Sequence, residues 1–299
     1  MARENNKENN RENNNENKLK ILIPKGKIFP SVAKLLQETN LLQEINERYY
    51  FPVCSDPQIE AKLMKPQNIP KLLEIGAHDL GFTGYDWVVE TEAKVEELLD
   101  LGFDRVKIVS AAPASLTKEK LKSRKIIVAS EYENISRKYL EKEGFQYLFL
   151  RTYGATEAFP PEDADLIIDN TATGQTLKEN GLKIIDEIFP SSTRLIANPD
   201  SLANPWKKEK IEEILMLITS VLNARQRVML EMNVPADKLE EIVRVLPCMR
   251  APTVSPLFKD LGYAVKVAVL KEETSRLIPL LKKLGATDIL EYEFRKVVI

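Results

Sequence analysis

The sequence predicts an α/β protein of two doubly wound, mostly parallel lobes followed by a smaller C-terminal module of the ferredoxin-like βαββαβ plan. Three observations carry this. Short β-branched apolar runs alternate with segments of helical spacing across short loops, the rhythm by which strands feed crossover helices in a parallel sheet. At 299 residues with 43% hydrophobic composition, the chain can bury more than one core. From about residue 226 the rhythm changes to strand, helix, strand, strand, helix, strand.

Taken in order, residues 1–18 are almost entirely Asn, Glu, Lys and Arg and cannot bury enough apolar area to offset the entropy of ordering, so a disordered tail is expected. A strand follows over 19–23, then the turn Pro24-Lys25-Gly26-Lys27 and an amphipathic helix over 29–38. Strand, glycine turn and helix make an anion-receptive corner, and two lysines in it suit a polyanion such as pyrophosphate. Residues 67–76 read as a helix ended by glycine, and 79–86 as a strand running into a turn. Gly81 and Gly84 there mark a close approach of backbone, to another strand or to a ligand.

Strands are expected over 106–110, 125–130 and 147–151, with a helix over 132–143 closed by Gly144. The loop Thr152-Tyr153-Gly154-Ala155-Thr156-Glu157 leads through Pro160-Pro161 into the stretch that organises the chain, Asp165 to Leu177. Leu166-Ile167-Ile168 reads as a buried strand that breaks into Asp169, a hydroxyl-rich turn and Gly174. Ligands of a parallel α/β sheet bind beyond the carboxyl ends of its strands, where residues 171–176 would lie. N–H groups around Gly174 and the hydroxyls of Thr173 and Thr176 would cradle a phosphate at the start of a helix, and Asp169 would accept from ribose hydroxyls. Together they describe a phosphoribosyl site, although an Asx-type turn capping a helix draws on the same residue types.

A strand over 193–197 and a helix over 205–223 follow; Ile211, Ile214, Leu215, Ile218 and Leu222 give the helix an apolar face for docking. The C-terminal module has strands at 227–232, within 251–257, at 263–270 and at 288–294, and helices at 237–245 and 272–284. The expected organisation is therefore lobe I over 19–109 with a returning segment near 190–204, lobe II over 110–189, a linking helix over 205–225 and a regulatory or oligomerising module over 226–299.

Composition narrows the function. With 43 Lys+Arg against 45 Asp+Glu, no bulk field marks the chain for nucleic acid or membrane. Cys54 and Cys248 form neither a CxxC pair nor a disulfide framework, and each reads as a small buried hydrophobe. No apolar run reaches membrane-spanning length and no hydrophobic signal core is visible, so a soluble cytoplasmic protein is expected. The single histidine, His78, argues against a His-rich metal site and a Ser/His/Asp triad. GxxxxGK[ST], GxGxxG and HExxH are all missing.

Asp169-Asn170-Thr171-Ala172-Thr173-Gly174-Gln175-Thr176-Leu177 resembles the phosphoribosyl-pyrophosphate loop of the ATP phosphoribosyltransferase family. Pro24 to Lys27, Asp79 to Gly84 and Glu131-Tyr132-Glu133-Asn134-Ile135-Ser136-Arg137 resemble its other motifs in the same order. Arg250-Ala251-Pro252-Thr253-Val254-Ser255-Pro256-Leu257 is similar to the signature of the long, allosteric form, so the resemblance runs from about residue 19 to the end. It implies two periplasmic-binding-protein-like lobes with an ACT-like regulatory domain. The implied reaction is attack of N1 of ATP on C1 of phosphoribosyl pyrophosphate, with Mg2+ on the departing pyrophosphate, in the first step of histidine biosynthesis.

Carried onto this chain, the resemblance implies that Ala172, Thr173, Gly174, Gln175 and Thr176 hold the 5-phosphate and Asp169 the ribose hydroxyls. Lys25 and Lys27 would face pyrophosphate or ATP phosphates, Glu157 would line the cleft, and Asp79, Thr83, Gly84, Tyr85 and Asp86 would stand on the nucleotide side. Asn233, Thr253 and Ser255 would contact histidine as feedback inhibitor, and dimers would assemble into hexamers. No metal ligand and no general base is nominated, because adenine N1 is already a nucleophile. Lys27 stands where many members carry arginine, Cys248 where glycine is usual, and Asn170, Ala172 and Gln175 fall at variable positions, so only their backbone roles carry over. The alternative is a non-catalytic two-lobed small-ligand-binding protein.

Overall fold

The computed structural model describes residues 18–299 apart from Glu44, Cys248 and Arg250; the tail expected at 1–18, all but its last residue, the departure at Cys248 and the first position of the C-terminal motif, Arg250, lie outside the described residues. Contacts divide the chain into two compact units, Met1–Ile211 and Glu212–Ile299.

The first unit holds two five-stranded sheets. One has the order β2-β1-β3-β10-β4, from β1 (Leu19–Pro24), β2 (Ile59–Met64), β3 (Leu80–Gly84), β4 (Glu96–Asp100) and β10 (Thr193–Ala197). The other has the order β7-β6-β8-β5-β9, from β5 (Val106–Pro113), β6 (Ile126–Ser130), β7 (Tyr147–Arg151), β8 (Leu166–Thr171) and β9 (Leu182–Ser191). The helices are α1 (Phe29–Glu38), α2 (Ile69–Glu74), α3 (Tyr85–Thr91), α4 (Lys118–Lys122), α5 (Glu133–Glu143), α6 (Gln175–Glu179) and α7 (Pro199–Ala203). β1 and β3 are buried over nearly their whole length, as central strands covered on both faces must be. Around the second sheet Ile108, Val128, Leu166 and Ile168 pack against Tyr132, Ile135 and Leu140 of the α5 region.

The expectation of mostly parallel sheets needs correction. β1 runs parallel to β2 and β3, and β6 parallel to β7 and β8, but β10 is antiparallel to β3 and β4, and β5 antiparallel to β8 and β9. The reason is how the chain changes sheets. It passes from β4 to β5, and back from β9 to β10 through Ser192, without a crossover helix. Only the parallel connection requires such a helix.

α8 (Pro205–Arg225) runs through the boundary between the units and buries Ile211, Ile214, Ile218 and Val221. The second unit is an antiparallel sheet of order β12-β13-β11-β14, built from β11 (Arg227–Val234), β12 (Thr253–Pro256), β13 (Tyr263–Leu270) and β14 (Thr287–Glu293) with α9 (Leu239–Val245) and α10 (Thr274–Lys283). β11 alternates partly exposed and buried residues, and its Val228, Leu230, Met232 and Val234 join Ile242, Val265, Val267, Leu277 and Leu281 in one core. The βαββαβ order and this strand sequence are those of the ferredoxin-like plan. No helix among the described residues is long and apolar enough to cross a membrane.

Candidate active site

The carboxyl ends of β1, β2, β3 and β8 open on one cavity of about 880 Å³ within the first unit. Its wall carries Lys25, Lys27, Lys65 and Arg105, the carboxylates of Glu47, Asp86, Asp104 and Glu131, and an apolar patch of Ile28, Leu63, Met64, Trp87 and Tyr132. Four cations around a partly apolar chamber suit a ligand with a flat ring at one end and phosphates at the other.

Lys25 follows β1 in extended conformation, Gly26 turns the chain at φ +81°, and a short 3-10 turn at Gly26–Ile28 leads into α1. The Lys25 amine stands 4.2 Å from the centre of the Tyr50 ring, and the Gly26 N–H donates to Glu47 Oε1 at 2.5 Å. Because β2 lies parallel to β1 with Pro24 opposite Met64, Lys65 emerges beside Lys25.

On the other side, β8 ends in Asp169, Asn170 and Thr171. Burial pushes the Asp169 carboxyl up to about 6; the Asn170 backbone N–H and Lys27 pull it down, while Glu157 and Glu131 push it further up. Glu157 and Lys27, from two other stretches of the chain, thus both act electrostatically on Asp169. Gly174, at φ +77°, turns the chain into the single-turn helix α6. Its N–H donates to Thr171 Oγ1 at 2.9 Å and that of Gln175 to Thr173 Oγ1 at 3.3 Å. The loop's own hydroxyls thus occupy the N–H groups that a phosphate would claim.

At the end of β3, Gly84 leaves room for Asp86: a Cβ there would fall 2.2 Å from Asp86 Oδ1. Asp86 is buried, accepts from Ser191 Oγ at 2.6 Å and from Tyr132 OH at 2.8 Å, and burial raises its pKa against those bonds. The neighbouring Glu90 accepts from the N–H groups of Asn134 and Ile135, so an acid of α3 caps the start of α5.

Of the residues singled out from sequence, Lys25, Lys27, Gly84, Asp86 and Ala172 line the cavity; Asp169 and Glu157 are not among the lining residues, and Glu157 acts on Asp169 electrostatically. Thr173, Gly174, Gln175 and Thr176 follow in the adjoining loop, mostly exposed. Asp79, Thr83 and Tyr85 are not among the lining residues. Asp79 is buried at the opposite end of β3, accepting from the Lys20 N–H, Ser201 Oγ and Lys207 Nζ at 2.7 Å each. Thr83 Oγ1 donates to the Pro66 carbonyl, and Tyr85 packs edge-on against Phe189 beneath the Arg194 guanidinium. Lys65 and Arg105 reach the cavity without having been singled out, and Tyr132 and Asn170, quoted only as members of motifs, line it with their side chains' roles unassigned. For Lys65 the signal was its place at the end of a strand next to β1. In the second unit, Asn233 donates to Asp288 at 2.8 Å, and Thr253 and Ser255 are exposed on the edge strand β12.

The family profile described as HisG: ATP phosphoribosyltransferase matches residues 65–220, and that of the HisG C-terminal domain matches 224–296. The chain belongs to the ATP phosphoribosyltransferase family. Among relatives bearing the name ATP phosphoribosyltransferase, that of Chlorobium phaeovibrioides is 40% identical and that of Pelodictyon phaeoclathratiforme 38%, each covering 94% of this chain and 97% of its own length. That of Desulforudis audaxviator is 37% identical over 94% of this chain and 99% of its own. A solved structure, the ATP phosphoribosyl transferase (HisG:HisZ) complex from Thermotoga maritima, superposes with a TM-score of 0.61 at 28% identity, covering 67% of this chain and 96% of that one. As an ATP phosphoribosyltransferase, the chain transfers the phosphoribosyl group of phosphoribosyl pyrophosphate to N1 of ATP with release of pyrophosphate, the first step of histidine biosynthesis. The non-catalytic alternative falls with that membership.

This class works with a divalent metal. Among the described residues no group of three or more His, Cys, Asp and Glu forms a metal cage. Asp169, with Glu131 and Glu157 acting on its carboxyl, is the acidic group that would meet a metal carried in by the substrates, and that metal would supply charge neutralisation there.

Proposed function

We propose that the transfer takes place in the cavity between the two sheets, with the residues around it in distinct roles. The loop from Ala172 through Thr173, Gly174 and Gln175 to Thr176 binds the 5-phosphate through N–H groups and hydroxyls, and Asp169 accepts from the ribose hydroxyls with Glu157 beside it. Lys25 and Lys27, joined by Lys65 and Arg105, neutralise the pyrophosphate and the ATP phosphates. The single observation that carries this reading is that the lysine corner and the end of the β8 strand, through Asn170 and Ala172, line one cavity, with Lys27 acting electrostatically on Asp169.

Catalysis is then positioning plus electrostatic stabilisation: adenine N1 supplies the nucleophile, and positive charge faces the oxygen on which negative charge builds. Mg2+ is the metal of choice, supplying charge neutralisation to the pyrophosphate when bound. Gly84 and Asp86 shape the nucleotide side, while Thr83 and Tyr85 support that wall from outside the cavity and Asp79 holds the far end of the strand.

Residues 19–109 with the return at 190–204 and residues 110–189 act as the two catalytic lobes, 205–225 as the linking helix, and 226–299 as an ACT-like regulatory domain. That domain binds histidine through Asn233, Thr253 and Ser255, and the protein works in the cytoplasm as a homo-oligomer that passes between dimer and hexamer.

The test is phosphoribosyl-ATP formation from ATP, phosphoribosyl pyrophosphate and Mg2+, followed by absorbance with and without millimolar histidine. Turnover that histidine suppresses supports both assignments. Turnover indifferent to histidine removes the effector role of Thr253 and Ser255, and loss of turnover without loss of fold in a Lys25→Ala, Lys27→Ala double variant is the expected sign that the cavity is the site.

A further inference from the structure

A line of hydrogen bonds crosses the cavity wall from one lobe to the other. Ser191 Oγ, next to the strand return, donates to Asp86 Oδ1 at 2.6 Å; Tyr132 OH donates to Asp86 Oδ2 at 2.8 Å; and Asn170 Nδ2 donates to Tyr132 OH at 2.9 Å. Asn170 then reaches Asp169, its backbone N–H donating to Oδ1 at 2.7 Å and Nδ2 standing 3.4 Å from the same oxygen. Asp86 lies in the lobe I helix α3, Tyr132 at the start of the lobe II helix α5, and Asn170 on β8 immediately after the acid.

Each member is held. Tyr132 is 1% exposed with its ring 4.7 Å from that of Trp87, and its hydroxyl is used both ways, one proton given and one accepted. Glu90 pins the start of α5 to α3 through two backbone N–H groups, so the contact on which Tyr132 sits is clamped from a second point. At the far end both Asn170 donors converge on Asp169 Oδ1, and among the described residues no donor is found on Oδ2.

We propose that Asn170 is a positioning residue: its amide ties Asp169 to Tyr132 and Asp86, fixing which carboxylate oxygen faces the ribose and making that orientation depend on contact between the lobes. This rests on the reading of Asp169 as the ribose acid. It gives the side chain of Asn170 a task although its position calls only for a backbone. A carboxylate that rotates freely loses the advantage of a preorganised acceptor, so the loss falls on the phosphoribosyl substrate and not on ATP.

The experiment is a double-mutant cycle with Asn170→Leu, which keeps volume and removes the amide, and Tyr132→Phe, which keeps the ring on Trp87 and removes the hydroxyl. Each single variant is expected to lower kcat/KM for phosphoribosyl pyrophosphate about tenfold with the KM for ATP within about twofold, and the double variant to lose about tenfold again in total, not the hundredfold of independent sites. Asn170→Ser gives the same loss without the bulk of leucine, should Asn170→Leu fold poorly. Either Asn170 variant at wild-type efficiency, losses that multiply in the double variant, or a shift of both KM values alike overturns the proposal. Calorimetric binding of phosphoribosyl pyrophosphate is read in parallel. A wild type that binds without turnover fails the catalytic reading alone, and an Asn170→Leu variant that binds as tightly as wild type fails the positioning role alone.

Discussion

The two strand-end corners of the cavity share a backbone device and differ in chemistry. At Pro24–Lys27 and at 171–176 a strand ends, a glycine turns the chain at φ +81° or +77°, and a helix begins. The first corner carries Lys25 and Lys27, and a carboxylate, Glu47, sits on its Gly26 N–H. The second has no lysine before Lys178, and neutral hydroxyls, those of Thr171 and Thr173, sit on its N–H groups. A charged corner suits the fragment on which charge grows during reaction; a neutral, directional one suits the phosphate that only anchors the sugar. On the proposed reading the same local geometry serves stabilisation on one side and placement on the other.

The largest effect that sharpens this contrast is at Asp169, between the corners. Asp169→Asn replaces an acceptor by a group that also donates, removing charge-assisted bonds from two ribose hydroxyls, and kcat/KM for phosphoribosyl pyrophosphate is expected to fall by about 10²–10³. Steady-state kinetics checks it, and a loss below about fivefold would take Asp169 out of substrate contact. Next, Lys27→Ala is expected to lower kcat by about 10- to 100-fold, and Thr173→Val to raise the KM for phosphoribosyl pyrophosphate about tenfold with kcat nearly kept. Ionic strength separates them, because only the charged corner is screened. If both variants respond to salt alike, the contrast between the corners fails. Lys27→Arg keeps the charge, adds a bidentate fork and is expected to retain activity.

How much of this was legible follows from what each segment shows to sequence alone. β7, β10 and β13 and the helix α1 were read at their true bounds, because apolar runs bounded by turns or a clear helical stripe announce them. β2, β4, α4, β9 and α7 are not visible in the sequence pattern. β4 is Glu-Glu-Leu-Leu-Asp on a sheet edge and α4 is a Lys-rich turn, neither of which shows an apolar period. α3 was read as a turn because the glycines of β3 run straight into it. Motif position pointed to Lys25, Lys27, Asp86 and Ala172, which line the cavity, and also to Asp79, which stands about 16 Å from Gly84 along a strand rising about 3.3 Å per residue. Tyr132 and Asn170 fall within motifs but without a role of their own, and Lys65 and Arg105 become their neighbours only when separate segments assemble, so no local pattern marks those two.

The pH dependence tests the acid from a different side. With its carboxyl raised from 3.8 to about 6 by burial, Asp169 in the folded protein holds a proton more tightly than in the unfolded chain. Stability from this group is therefore present at low pH and is lost as pH rises from about 4 to about 6, by up to about 3 kcal/mol. Activity runs the other way, falling as pH drops through about 6, since the protonated acid gives up an acceptor. Denaturant unfolding of wild type and Asp169→Asn across this range is expected to show the variant gaining on the wild type as pH rises to about 6 and holding level above it. A difference that does not change with pH would mean that Asp169 is not desolvated in the folded protein.

The smallest effect reaches furthest into the comparison. If the Gly26 N–H belongs to an anion corner, the Glu47 carboxylate on it at 2.5 Å is an internal substitute for the ligand, and an incoming phosphate must displace it. Glu47→Gln weakens that competitor without touching Lys25 or Lys27, so inorganic pyrophosphate should bind about three- to tenfold more tightly, a gain of about 1 kcal/mol. Calorimetry with pyrophosphate and Mg2+ measures it. Tighter binding makes the two corners variants of one device, each with its N–H groups held by a removable oxygen. Unchanged binding would leave the first corner a pair of lysines on a turn whose backbone plays no part, and the resemblance between the corners would end at their φ angles.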